Sequence, residues 1–270
     1  MTALEFRIGI AGLGTIGQEL AHRIDRGEIP GCHLAAVSGR DPEKTAAFIA
    51  GLSRPVPAVA LGELADHADI VVECAPAALL RQIVEPAVKA GKKVIVLSIG
   101  ALLAHPDLLA GKGGPGQIMV PTGALIGLDA VTAAAEGTIH SVRMVTRKPP
   151  RGLLGAPFLV ERGINIDGLK EPLKIFEGTA REAAVGFPAN LNVAVALSLA
   201  GVGPDRTMLE IWADPTVVRN THHISVDSDS AIFSMTMENI PSANPKTGLI
   251  TAQSVVAMLR KLGAPLRVGT

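Results

Sequence analysis

A glycine-rich turn near the amino terminus constrains the fold of this chain more than any other feature. Residues 12–17 read Gly-Leu-Gly-Thr-Ile-Gly, which is a G-x-G-x-x-G pattern. The apolar run 6–11 precedes the turn and predicts a buried strand, and apolar residues recur at helical spacing through 16–24. A glycine turn in this context predicts the first strand–helix–strand unit of a dinucleotide-binding fold.

The residue types in the turn suit a pyrophosphate. Gly12 permits the tight turn, Gly14 lets the backbone approach the ligand, and Gly17 lets the helix pack closely against the strand. The helix that follows begins with Thr15 and Ile16, and its free N–H groups lie at the positive end of the helix dipole. We therefore expect these five residues to bind a dinucleotide. The alternative is a glycine turn that binds nothing.

The end of the second predicted strand bears on the choice between NAD and NADP. An acidic side chain there would bind the adenosine ribose and favour NAD. The chain instead reads Val-Ser-Gly-Arg at 37–40, and Ser38 and Arg40 suit a 2′-phosphate, because a guanidinium group matches phosphate geometry. We expect NADP to be accepted and NAD to be tolerated. The alternative for Arg40 is a solvated surface charge.

Strand and helix patterns alternate through the first part of the chain. Further apolar runs at 33–38, 69–74, 93–98 and 117–120 predict four more strands. Continuous apolar strands alternating with helices predict an α/β fold, a Rossmann-type doubly wound parallel sheet covered on both faces. Ligands of such sheets bind outside the carboxyl ends of the strands, where small residues such as Ala75 suit a flat nicotinamide ring.

The pattern changes after about residue 125. Strands are predicted at 138–147, 208–213, 221–227 and 232–238, around a helix-rich stretch at 181–200. This predicts a second α+β domain with a mostly antiparallel sheet. We therefore expect a dinucleotide-binding domain at 1–125 and a substrate-binding and oligomerisation domain at 126–244. In the remainder, 245–270, a helix opened by Asn244-Pro245 is expected to pack back on the first domain.

The composition argues against several classes of protein. The 270 residues include 25 basic and 25 acidic side chains, so we expect no nucleic-acid partner. With 48% hydrophobic residues the chain is globular, yet no apolar run reaches the roughly 18 residues of a membrane span. Cys32 and Cys74 are too few for a disulfide framework, and the amino terminus lacks the pattern of a secretory signal. We expect a cytoplasmic protein without a membrane partner.

Two adjacent histidines are the candidate catalytic residues. None of the seven histidines has metal-ligand spacing, so we expect no metal. Neighbouring residues of a strand point to opposite faces. His222 therefore shares the inward face with Ile224 and Val226, whereas His223 lies on the solvated face. A histidine on an apolar face is either a core residue or a base, and the residues alone leave both open.

The motifs together resemble the L-aspartate dehydrogenases along nearly the whole chain. Besides the glycine turn, the resemblance rests on eight segments: VVECA at 71–75, SIGAL at 98–102, GALIGLDA at 123–130, TRKPP at 146–150, FPANLNV at 187–193, RNTH at 219–222, NIPS at 239–242 and NPKT at 244–247.

This resemblance implies a two-domain enzyme that oxidises L-aspartate with NAD or NADP. The product would be iminosuccinate, which gives oxaloacetate and ammonia or is passed to NAD biosynthesis. The catalytic histidine of the family lies in an Asn-x-His segment, which His222 matches, with His223 as the competing choice. Cofactor contacts of the family match Ala124 and Asn190, although Asn190 is also a plausible helix cap.

Cations should bind the two carboxylates of such a substrate. We expect Lys148, Arg219 and Asn220 to bind the substrate, and we expect Arg147 to be a surface charge. Two other functions stay open. One is another two-domain reductase, of the homoserine dehydrogenase or dihydrodipicolinate reductase type. The other is a dinucleotide sensor without catalysis.

A homo-oligomer is also expected. The last predicted strand carries four large apolar residues, namely Ile232, Phe233, Met235 and Met237. We expect them to bury the outer face of the second sheet against another subunit.

Overall fold

Two separate five-stranded sheets organise the computed structural model, which describes residues 4–188, 191–241 and 248–269. Contacts between residues divide the chain into two compact units. The first comprises Met1–Pro121 and Ala252–Arg267, and the second comprises Thr122–Thr251 and Val268–Thr270. The functional domain boundaries expected at residues 125 and 244 stay a prediction.

The sheet of the first unit is entirely parallel, with strand order β2-β1-β3-β4-β5. Its strands are β1 (Phe6–Ala11), β2 (Cys32–Ser38), β3 (Ile70–Glu73), β4 (Lys93–Val96) and β5 (Gln117–Met119). All five were expected from their apolar runs. Strands buried on both faces have no polar side to show, which is why they read as continuous apolar segments. The predicted Rossmann-type sheet is confirmed.

Helices cover this sheet. They are α1 (Thr15–Asp25), α2 (Pro42–Ala50), α3 (Leu64–His67), α4 (Leu80–Lys89), α5 (Ile99–Leu102) and α6 (Pro106–Leu109), with short 3-10 turns at Leu61–Glu63 and Ala77–Leu79. The Asp41 carboxylate accepts hydrogen bonds from the backbone N–H groups of Glu43 and Lys44 and so caps α2.

The last helix, α11 (Ile250–Gly263), contributes Val255, Val256 and Leu259 to the apolar core around β1. Its start differs from the prediction. Asn244 and Pro245 lie outside the described residues, and Gly248 forms an antiparallel bridge with Pro241 before the helix begins. A residue in a strand bridge cannot also be helical, so α11 opens later than the Asn-Pro pair suggested.

The sheet of the second unit is mixed, with strand order β10-β9-β6-β8-β7. Its strands are β6 (Ile139–Lys148), β7 (Leu173–Thr179), β8 (Thr207–Ala213), β9 (Asn220–Ser228) and β10 (Ile232–Asn239). Only β6 and β8 pair in parallel, so the predicted, mostly antiparallel sheet is confirmed. Strand β7 was missed, because its charged residues at 174 and 177 interrupt any clear alternation.

Within the described residues of the second unit there are four helices: α7 (Leu128–Ala134), α8 (Pro157–Glu161), α9 (Ala180–Gly186) and α10 (Asn192–Ala200), with a 3-10 turn at Pro150–Gly152. Helices α9 and α10 both contact β8, and α10 also contacts α7. Alternation along β9 buries His222, Ile224 and Val226 and exposes His223, as the period of a strand requires.

The same alternation along β10 contradicts the expectation that its four large apolar residues form one outer face. Phe233, Met235 and Met237 pair with the buried residues of β9 and are themselves half-buried, so they belong to the inner face. Ile232 lies on the opposite face and is 81% exposed. Residues an odd number of positions apart on a strand lie on opposite faces. Ile232 therefore cannot form one patch with the other three residues.

Candidate active site

The glycine turn of the first unit has the close contacts that its sequence predicts. Gly12 has a φ of +102°, and a Cβ there would lie 2.7 Å from the carbonyl oxygen of Cys74. A Cβ on Gly17 would collide with the carbonyl oxygen of Gly12. Glycine is therefore required at both positions, because one needs a left-handed backbone and the other needs close helix–strand packing.

Open space surrounds the middle of the turn. A Cβ on Gly14 would have no atom within 4 Å in the described structure. Gly14 is also the N-cap of α1 and offers no side chain to the free N–H groups of Thr15 and Ile16. Free donors at the start of an 11-residue helix, beside an open cradle, suit a pyrophosphate.

Of the other predicted cofactor residues of this unit, Ser38 and Ala75 lie next to the turn, and Arg40 lies beyond the end of β2. The N–H of Gly12 donates to the carbonyl oxygen of Ser38 at 2.8 Å, which joins the ends of β1 and β2. Ala75 lies beside the same glycine, since a Cβ on Gly12 would be 2.9 Å from the Ala75 nitrogen. Arg40 is exposed two residues beyond β2. Its guanidinium is available to a ligand.

A buried carboxylate that the sequence analysis did not single out holds two strand ends together. Glu73, the last residue of β3, has no exposed surface. Its Oε1 accepts from the Ala75 N–H at 3.1 Å and from the Ser98 hydroxyl at 3.0 Å. Its Oε2 accepts from the N–H groups of Leu97 and Ser98 at 3.0 and 2.8 Å. Burial raises the pKa of Glu73, and these four bonds oppose that rise.

In the second unit, His222 lies in a buried polar cluster. Thr146 faces it across the antiparallel pair β6 and β9, with the threonine Oγ1 3.1 Å from the histidine Nδ1. Lys148 is two residues along β6 from Thr146 and is therefore on the same face. All three side chains are at most 3% exposed. The strand register thus brings together the predicted base and one predicted substrate cation.

The buried position changes the protonation of both titratable groups. Burial and, to a smaller extent, the positive charge of Lys148 together lower the pKa of His222 to about 3. Burial also lowers the pKa of Lys148 to about 8. At neutral pH the cluster therefore holds a neutral imidazole beside a protonated amine.

A cavity of about 190 Å³ lies within the second unit. Its lining comprises Pro149, Arg151, Gly152, Val218, Arg219, Asn220, Asn239, Pro241 and Gly248. Drug-sized ligands occupy pockets of roughly 300–1,000 Å³, so this cavity suits a smaller metabolite. Two predicted substrate residues, Arg219 and Asn220, line it. Lys148 and His222 are not among the lining residues, but each lies within two residues of one that is.

Two arginines at this end of the sheet have different surroundings. Arg147 donates to the buried Asp214 at 2.9 Å, and its guanidinium carbon lies 4.7 Å from the centre of the Trp212 ring. Arg151 lines the cavity and is exposed. The ion pair and ring contact give Arg147 a structural role. Arg151, which sequence reasoning missed, is the better placed cation.

Ala124, a cofactor contact by resemblance, belongs to the second unit. Its carbonyl oxygen accepts a 3.0 Å hydrogen bond from Nδ2 of Asn239, the last residue of β10. Asn239 is 4% exposed and lines the cavity. Its only signal in the sequence was its place in the NIPS segment. Asn190 lies outside the described residues, and its two predicted roles stay predictions.

Two negative findings apply to the described ranges 4–188, 191–241 and 248–269. No three His, Cys, Asp or Glu side chains there are grouped to hold a metal ion. No helix in those ranges has the length and apolar character needed to cross a bilayer.

Comparison with known families assigns both parts of the chain. Residues 129–262 match the family model described as aspartate dehydrogenase, C-terminal. Residues 12–111 match the model described as homoserine dehydrogenase, NAD binding domain. The second match covers the glycine turn, the end of β2 and Ala75.

Similar proteins cover nearly the full length. L-aspartate dehydrogenase 3 of Bordetella bronchiseptica is 69% identical over 98% of both chains. L-aspartate dehydrogenase of Bradyrhizobium diazoefficiens is 64% identical over 98% of this chain and 95% of its own. The crystal structure of aspartate dehydrogenase from Thermotoga maritima has a TM-score of 0.71 at 24% identity, covering 98% of this chain and 100% of its own, and this likeness concerns the fold.

Proposed function

This chain belongs to the aspartate dehydrogenase family, and we propose that it oxidises L-aspartate with NAD or NADP. Oxidation at Cα removes a hydride and converts the amine into an imine, giving iminosuccinate. Water then adds to the imine, and loss of ammonia leaves oxaloacetate. The overall balance is L-aspartate, NAD(P)⁺ and water giving oxaloacetate, ammonium, NAD(P)H and one proton.

The observation that carries the proposal is the placement of His222. A single buried face of the second sheet holds this imidazole, a hydroxyl partner and a buried amine. The residue two positions earlier on β9, Asn220, lines a cavity that also contains two arginines. A base beside a small cationic cavity supports chemistry on an amino acid with two carboxylates.

We assign proton transfer to His222. When Nδ1–H donates to the Thr146 hydroxyl, Nε2 keeps a lone pair that accepts a proton from the substrate amine or from attacking water. The pKa of about 3 keeps the imidazole neutral before substrate binds. A dicarboxylate nearby adds negative charge, which favours the imidazolium and raises that pKa. Substrate binding thus strengthens the base.

Lys148, Arg219 and Asn220 are assigned to the substrate carboxylates and Arg151 joins them. The two arginines line the cavity, where a guanidinium forms paired hydrogen bonds to a carboxylate. Lys148 is protonated below its pKa of about 8 and supplies a buried positive charge. The dicarboxylate substrate would offset the cost of burying that charge.

The first unit would hold the cofactor, whose nicotinamide ring accepts the hydride when bound. Gly12, Gly14 and Gly17 shape the phosphate cradle, and the first N–H groups of α1 face it. Ser38 and Arg40 lie where the adenosine ribose is held in such folds, and we assign to them a 2′-phosphate, so that NADP is accepted as well as NAD.

Family membership replaces the homoserine dehydrogenase and dihydrodipicolinate reductase alternatives. The initial-rate experiment below distinguishes the enzyme from a dinucleotide sensor without catalysis.

Both cysteines are free thiols, which supports a reduced, cytoplasmic setting. We also propose a homo-oligomer, to be tested by light scattering.

Initial rates test the proposal directly. Purified protein is mixed with L-aspartate and either NAD⁺ or NADP⁺, and reduced cofactor is followed by absorbance. His222→Ala is compared with His223→Ala, a matched control whose imidazole is exposed on the opposite face of β9.

The expected result is turnover of L-aspartate but not of homoserine, lost in His222→Ala and kept in His223→Ala. Cofactor binding without turnover in the wild-type protein would establish the sensor instead. Equal loss in the two variants would remove the assigned role of His222.

A further inference from the structure

Asn239 has a buried acceptor whose direction is fixed. Its Nδ2 faces the carbonyl oxygen of Ala124, which can only accept, so Oδ1 must point the other way. That oxygen is buried, and it has no hydrogen-bond partner within the described structure. A buried acceptor without a partner destabilises the fold, because the oxygen has lost its hydrogen bonds to water and gained none in return. Asn239 also lines the cavity, so a ligand bound there is a candidate source of the missing donor.

The rest of the cavity defines what that ligand carries. Arg151 and Arg219 present only donors, which match carboxylate oxygens. A ligand with two carboxylates and one ammonium group therefore needs an acceptor in the same wall. Asn239 pairs with Asn220 across β9 and β10, which places its side chain beside the assigned substrate residues.

We propose that Oδ1 of Asn239 accepts a hydrogen bond from the α-amino group of L-aspartate and so selects an amino acid over other dicarboxylates. This inference rests on the proposed function. Asn239 is a specificity and positioning residue, since the amine proton itself goes to His222. A neutral amide suits this task, because a carboxylate at the same place would stabilise the ammonium form and oppose its deprotonation.

The test compares two ligands that differ in the amine. L-aspartate is the substrate, and succinate has the same two carboxylates without an amino group. With cofactor saturating, KM for L-aspartate and the inhibition constant of succinate are measured for wild-type enzyme and Asn239→Ala. Ser234→Ala, an exposed change on the same strand, is the matched control.

We expect Asn239→Ala to raise KM for L-aspartate about tenfold or more, as for a hydrogen bond to a charged group. The inhibition constant of succinate should change less than about twofold, and Ser234→Ala should change neither. Equal weakening of both ligands would overturn the inference, because it indicates a merely structural role. A rise in KM for NAD(P)⁺ alone would also overturn it, because the donor would then be the cofactor carboxamide.

Failure of the proposed function is a separate result, since wild-type enzyme would then not turn over L-aspartate. Should Asn239→Ala not fold, wild-type enzyme gives a second measurement. Its cofactor complex should bind L-aspartate about tenfold more tightly than succinate. Equal affinities for the two ligands would overturn the inference.

Discussion

Thr146 and His222 are 76 residues apart in sequence, yet the threonine Oγ1 lies 3.1 Å from the histidine Nδ1 on the buried face of the second sheet. A second threonine–histidine pair lies on the opposite face, where Thr236 Oγ1 is 2.9 Å from His223 Nδ1. One pair is buried and the other is exposed, so the sheet provides its own control for the role of the hydroxyl.

Removal of the buried hydroxyl should slow turnover. Thr146→Val keeps the shape of the side chain and deletes the bond that orients His222, so we expect kcat to fall about two- to tenfold. Thr236→Val deletes the bond on the exposed face and should leave kcat unchanged. Steady-state rates at saturating cofactor measure both. Equal effects of the two variants would contradict an orienting role for Thr146.

Lys148 should make the KM for L-aspartate depend on pH in the alkaline range. Its pKa of about 8 means that the positive charge is lost as pH rises through that value. KM for L-aspartate should therefore rise above pH 8 in the wild-type enzyme. Lys148→Met should raise KM about tenfold at pH 7 and flatten this dependence. Arg143→Met, which removes an exposed cation from β6, is the control.

The same group predicts the sign of a stability change. The pKa of Lys148 is lower in the folded chain than the ordinary value of 10.5, so the unfolded chain binds more protons between about pH 8 and that value. The free energy of unfolding of the wild-type protein should therefore rise with pH across this window relative to Lys148→Met. Urea unfolding at pH 7, 8, 9 and 10 measures the difference.

Glu73 should stabilise the first unit and shape its cofactor site. In either orientation, Glu73→Gln places an amide NH₂ against backbone N–H groups that only donate, namely that of Ala75 at Oε1 or those of Leu97 and Ser98 at Oε2. We expect the free energy of unfolding to fall by about 2 kcal/mol or more, with weaker NADPH binding. Glu43→Gln, an exposed change on α2, is the control. Unchanged stability would mean that the four bonds contribute nothing net.

Arg40 should decide the preference between the two dinucleotides. Arg40→Ala removes the exposed guanidinium next to β2, and KM for NADP⁺ should rise about tenfold while KM for NAD⁺ stays the same. Arg54→Ala, an exposed arginine elsewhere in the first unit, should alter neither value. Equal changes for both cofactors would show that Arg40 does not contact a 2′-phosphate.

The sequence by itself determined the features whose causes are local. The glycine turn and the strands of the first sheet follow from neighbouring residues, and each is found as expected. The faces of His222 and His223 follow from the two-residue period of a strand. The family also follows from ordered motifs along the chain. The turn, the strands and the faces of the two histidines are each set within a few residues.

Only the tertiary structure decided which distant residues meet. The pairing of His222 with Thr146 depends on strand register, and the four bonds to Glu73 depend on adjacent parallel strands. The side-chain oxygen of Asn239 can be identified as unpartnered only from the structure, in which the amide nitrogen donates to the carbonyl oxygen of Ala124, 115 residues away. Strand β7 was missed for the same reason, because non-local pairing stabilises it against a weak local pattern. Hydrogen bonds between remote segments arise from the packing of whole sheets, which no local pattern records.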